Sequence, residues 1–160
     1  SDPNKGGSPD ITARELLDRG AEQLDNRLQE QPLTKAHLLQ TLGNVYEILG
    51  LLNESFDKRR EAGELLAEVD DVDPLEHATV LADLSTGYRR NGDFQQAHDT
   101  AERAVSLVRE TPGNNGVVES YALNALGIAK IMLARLDEAF ERGELTQADK
   151  PNVEAHHGSA

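Results

Sequence analysis

The chain has 160 residues, no cysteine and a formal net charge of −13. Without thiols there is no disulfide, no thiol catalysis and no Cys-ligated zinc. A surface this acidic also repels a phosphate backbone, so nucleic acid is not an expected partner. Hydrophobic residues make up 38% of the chain, enough to bury the core of one ordinary domain. Only three Phe and three Tyr are present and no Trp, so that core must be built mostly of Leu, Ala and Val.

Residues 1–10, SDPNKGGSPD, read as a linker, as if the domain had been cut from a longer protein. Thr12 and Glu15 have the spacing of a capping box and open a helix over 11–30. Helices over 34–50 and 53–69 follow, divided at Gly50, which suits the left-handed residue that ends a helix. Asp73-Pro74-Leu75-Glu76 places a capping Asp before a Pro at the first helical position and starts a helix over 74–91. Asn91-Gly92-Asp93 is the next turn, and Asp93 with Gln96 caps a helix over 94–110. Thr111-Pro112-Gly113-Asn114-Asn115-Gly116 is a strong breaker. Two more helices are expected over 117–134 and 136–146, making seven, and residues 147–160 form a polar tail. No apolar run approaches the roughly 18 residues of a membrane span, so direct membrane insertion is not expected. No signal peptide is visible.

Gly43, Ser85 and Gly127 follow one another at equal steps of 42 residues, each one position after a leucine. The same period aligns Leu39, Leu81 and Leu123, then Leu42, Leu84 and Leu126, then Leu52, Phe94 and Leu136, then Ser55, Ala97 and Ala139. A fixed period of roughly 20–50 residues is the mark of a repeat array. Within a unit, Leu81, Leu84 and Tyr88 step by three and four, as do Ala97, Ala101, Ala104 and Val108. Each unit is therefore a pair of antiparallel helices. The organisation is a half repeat over 11–30, repeats over 33–72 and 73–114, and a partial repeat over 115–146. The fold class is all-α, a helical-repeat solenoid.

The unit VLADLSTGYRRNGDFQQAHDTAERAVSL, with its leucines three apart, Tyr88, Gly92, Phe94, Ala97, Ala101 and Ala104, resembles the tetratricopeptide repeat family. The resemblance covers about residues 11–146 and is closest to the family's long-helix variant, as in kinesin light chains and many bacterial signalling proteins. The stretch ARELLDRGAEQLDNRLQEQPLTKAHLLQTLGNVYEILGLL is also similar to the repeat region that follows the kinase domain in some bacterial serine/threonine kinases. Some positions depart from the pattern. Lys130 stands in the row of Tyr46 and Tyr88, Arg59 stands where Ala101 stands, and the third unit loses the pattern after Phe140.

The resemblance implies a right-handed array whose first helices line a concave groove for a protein or peptide partner. It would place Gln40, Asn44 and Glu47 in that groove from the first full unit, with His37 and Ile48 beside them. From the second unit come Thr86, Arg89 and Arg90, with Thr79, Ala82 and Asp83. From the third come Tyr121, Asn124, Ile128 and Ile131, with Ala125 and Met132. Amides there suit the backbone of an extended peptide, and the two arginines suit a carboxylate. The basic clamp that some family members use on chaperone tails is largely missing. The resemblance also implies a cytoplasmic signalling protein of bacteria, with an extracytoplasmic domain of a membrane-anchored parent as the other placement. Alternative roles are self-association through the half repeat or the C-terminal end, and reception of small signal peptides.

Catalysis is not expected. No phosphate-binding Gly-rich loop, zinc-protease motif or nucleophile elbow is present. His98 and Glu102 lie four apart on one helix, but no second ligand pair supports a metal site, so they read as a solvated pair. His156-His157 lies in the tail, and no cofactor is implied.

Overall fold

A computed structural model describes residues 12–113 and 116–146. The expected linker, the tail with His156-His157 and the middle of the breaker at Asn114-Asn115 lie outside the described residues. Among the described residues there are six helices and no strand: α1 (Ala13–Arg27), α2 (Pro32–Ile48), α3 (Leu52–Glu68), α4 (Pro74–Arg90), α5 (Phe94–Glu110) and α6 (Gly116–Glu141).

Helix starts follow the local chemistry. Thr12 accepts from the Glu15 amide at 3.2 Å and Glu15 accepts from the Thr12 amide at 2.9 Å, closing the capping box of α1. Asp73 accepts from the Leu75 amide at 2.9 Å, with Pro74 at the first position of α4. Asp93 accepts from the Gln96 amide at 3.1 Å at the start of α5.

Helix ends are equally local. Gly50 sits at φ 75° and Gly92 at φ 81°, where a Cβ is strained. Around them the Leu51 amide donates to the Tyr46 carbonyl at 2.8 Å and the Asp93 amide to the Tyr88 carbonyl at 2.9 Å. These are Schellman closures, with the paired shorter bonds Gly50 to Glu47 at 2.9 Å and Gly92 to Arg89 at 3.1 Å.

The third such closure corrects the expected helix count. The 42-residue period places Ala134 in the row of Gly50 and Gly92. Alanine does not favour the left-handed conformation and is the best helix former. Leu133-Ala134-Arg135 therefore continues the helix, and the two helices expected over 117–134 and 136–146 are one, α6, of 26 residues. The chain turns only at Gly143, φ 70°, with the Glu144 amide donating to the Ala139 carbonyl at 3.0 Å.

By length and composition α6 is also apolar enough to cross a membrane, contrary to the expectation that no segment would qualify. Glu119 and Lys130 interrupt the run in sequence, which hides its average hydropathy. Its Ala122, Ala125 and Ala129 are buried in the helix stack.

The residues cluster into two compact units divided at Leu65–Leu66, within α3. In the first, the Tyr46 side chain of α2 is buried and its hydroxyl donates to Asp18 of α1 at 2.7 Å. Burial, then the Asp18 carboxylate and the charge of Glu54, push the Tyr46 phenol up to about 12. Lys35 of α2 pairs with Glu61 of α3 at 3.0 Å, and Arg14 of α1 with Glu54 of α3. In the second, α4 and α5 form an antiparallel hairpin on which α6 packs. Its core is small and aliphatic: Ala78, Ala97, Ala101, Ala104, Ala122 and Ala129 are fully buried, with Leu81, Leu84, Val105 and Val108 around them. Small residues let helix backbones approach closely. At the crossing of α4 and α5, buried Ser85 donates its hydroxyl to the Ala97 carbonyl at 2.7 Å.

Candidate interaction surface

In the first unit the expected groove residues lie on α2, and Arg59 of α3 engages Asn44 and Glu47 among them. The Arg59 guanidinium of α3 donates one nitrogen to Asn44 Oδ1 at 2.9 Å and to Glu47 Oε2 at 2.5 Å. Arg59, which departs from the repeat pattern, is accommodated by Gly43. A Cβ on Gly43 would lie 3.0 Å from Arg59 Cγ and 3.3 Å from the Ser55 carbonyl oxygen. The arginine stem thus occupies the room left by glycine, and its head ties Asn44 and Glu47 to the second helix of their own repeat. Gln40 is half-buried, and its Nε2 is buried without a hydrogen bond.

In the second unit α4 and α6 are joined directly. The Tyr121 hydroxyl donates to the Asp83 carboxylate through a short hydrogen bond. Asp83, Thr86 and Arg90 recur at three- and four-residue steps on α4, as do Tyr121, Asn124 and Ile128 on α6, so each set shares a helix face. Thr86 is half-buried and donates to the Ala82 carbonyl at 3.3 Å. Asn124 is exposed, Ile128 half-buried and Ile131 exposed. Arg89 and Arg90 stand in the last turn of α4, where their charge also favours the helix C-terminus. The structure thus brings Tyr121 to α4 through Asp83, and keeps Asn44 and Glu47 on Arg59. Arg59 itself was not among the expected residues. Its only signal was a long cation in a small-residue row, paired with a glycine one helix earlier.

A separate open depression of about 500 Å³ lies against α5, lined by His77, Asp99, Glu102, Arg103, Ser106, Leu107 and Glu110. Two of these residues, Asp99 and Glu102, also flank His98 on α5, with Nδ1 at 3.1 Å from Asp99 and Nε2 at 3.5 Å from Glu102. One ligand atom from each of His98, Asp99 and Glu102 lies within 4.8 Å of the other two, a group of half-buried and exposed side chains at the start of α5.

His77 is held below the ordinary His value of 6.5, first by burial and then by the Arg103 charge. Its neutral form is therefore favoured in the native state. As pH falls through about 6.5 the unfolded chain takes up a proton that the native chain resists, so stability declines toward acid. Denaturant midpoints at about pH 7.5 and about pH 5.5 should differ less in His77→Gln than in the parent. An equal difference in both would remove His77 as the cause.

Residues 76–148 match the family model described as tetratricopeptide repeat. No curated protein matches the chain. The match spans the α4–α5 hairpin and the whole of α6, where the glycine-ended turn, the buried alanine rows and the 42-residue register are clearest. By fold and by sequence, this segment belongs to the tetratricopeptide repeat family.

Proposed function

We propose that the face shared by α4 and α6 captures an extended segment of a partner protein. Tetratricopeptide repeats in general mediate protein–protein contacts and are typically non-catalytic. The observation that carries the proposal is the Asp83–Tyr121 hydrogen bond, which fixes two repeat-first helices against each other along one row of polar side chains. Beside it, the exposed Asn124 amide offers one donor and one acceptor to a peptide backbone, and Ile128 offers an apolar contact. The net charge of −13 favours a segment carrying basic residues. A cytoplasmic place within a larger bacterial signalling protein is part of the same proposal and rests on the likeness of residues 13–52 to kinase-linked repeats.

Peptides selected from a displayed random library against the full chain provide the probe. Thr86→Ala combined with Asn124→Ala should weaken the selected peptides by about tenfold or more, with unchanged helical circular dichroism. Undiminished affinity in that double variant would remove this face as the binding site.

A further inference from the structure

In the first two repeats the small residue of the leucine-small pair lies where a second helix crosses. Gly43 is buried against Arg59 and Ser55 of α3, and Ser85 bonds to Ala97 of α5. Gly127 holds the same position on α6, yet a Cβ there would meet nothing within 4 Å. The preceding row behaves likewise: Leu39 is 0% exposed, Leu81 3% and Leu123 39%. The straight run through Ala134 carries the rest of α6 away from this seat, which among the described residues has no covering helix.

The uncovered face has its own order. Ser120, Leu123, Gly127, Ile131 and Ala134 are all exposed. At 100° per residue they fall within about 80° of one another, on the side away from buried Ala122, Ala125 and Ala129. Read outward from Gly127, both directions give a large apolar residue after four positions and a small one after seven. Such a pattern is its own complement when the second helix is antiparallel. Gly127 meets the partner's Gly127, Leu123 meets the partner's Ile131, and Ser120 meets the partner's Ala134. That is the requirement of an isologous two-fold interface. The high hydropathy of α6, of which only 22% of the most apolar window is buried, fits a helix meant to be covered on two sides.

We infer that α6 is the homodimer interface of this protein, packing antiparallel against α6 of a second copy about a two-fold axis at Gly127. The inference does not rest on peptide capture, but the two surfaces adjoin: Asn124 stands three residues before Gly127 and about 20° from Ile131 around the helix, so a second copy on α6 competes with a peptide for that side chain.

Sedimentation velocity of the full chain over a wide concentration range should show a monomer–dimer equilibrium. Ile131→Glu should raise the dissociation constant by about tenfold or more. Gly127→Leu should do the same by blocking the close approach, without loss of helix, because leucine is the better helix former. The chain has no natural thiol, so G127C reports the axis alone. Mild oxidation should link it into dimers, and should leave S106C on α5 unlinked. A chain that stays monomeric at the highest concentrations overturns the inference. So does a dimer that tolerates both substitutions, or one that crosslinks through S106C in preference to G127C. A monomer whose G127C thiol is shielded from reagents overturns it too, since another part of the same chain would then occupy the seat.

Discussion

Tyr46→Ala is expected to lower the unfolding free energy by about 3–5 kcal/mol, the usual range for deleting a buried aromatic ring. Tyr46 is the largest fully buried side chain among the described residues, 1% exposed, in a chain with six aromatic residues. Surrounding side chains relax only partly into the space that such a truncation leaves. The hydroxyl adds a second loss, because Asp18 would keep its carboxylate without the 2.7 Å donor from α2. Tyr46→Phe separates the two effects and should cost about 1 kcal/mol, the net value of one hydrogen bond. Urea denaturation followed by circular dichroism measures both. If the two variants were equally stable, the ring would not be packed as described.

Ala97→Leu should cost about 1–3 kcal/mol through overpacking. Ala97 is fully buried, and its carbonyl accepts the Ser85 hydroxyl at 2.7 Å, so α4 and α5 are held too close for a larger side chain. Relief would require the helices to separate, which breaks that bond and leaves a buried hydroxyl unsatisfied. Ala97→Gly is the informative companion. It removes the methyl without crowding and should lose mainly helix propensity, about 1 kcal/mol. A leucine variant as stable as the parent in thermal denaturation would mean that position 97 does not lie at the crossing. The two substitutions report on different compact units, Tyr46 on the first and Ala97 on the second.

The 42-residue period and the alanine rows made the α4–α5 hairpin legible in sequence, because close helix packing demands small residues at fixed phase. The capping residues Thr12, Asp73 and Asp93 were legible for a similar reason, since each acts on amides within three positions. The seventh helix failed where alignment overrode local chemistry. Leu133-Ala134-Arg135 lines up with Asn91-Gly92-Asp93 but contains no residue suited to the left-handed conformation. The candidate surface was legible only in part. Periodicity assigns Asn44 and Glu47 to a face of α2, but it does not reveal that a long side chain from α3 reaches round to bind both. Nor does it reveal that Tyr121 closes on Asp83, a contact between residues 38 apart in sequence.

Gly43 and Arg59 constrain each other's history. A methyl added at Gly43 would sit 3.3 Å from a backbone oxygen and 3.0 Å from the arginine stem. A side chain shorter than arginine at 59 would release Asn44 and Glu47 and leave a hollow beside the glycine. A change at either position therefore obliges the other to adjust, whereas the second repeat solves the same crossing with Ser85 and Ala101. The two repeats thus occupy separate, internally consistent solutions, and passage from one to the other takes coupled substitutions on both helices.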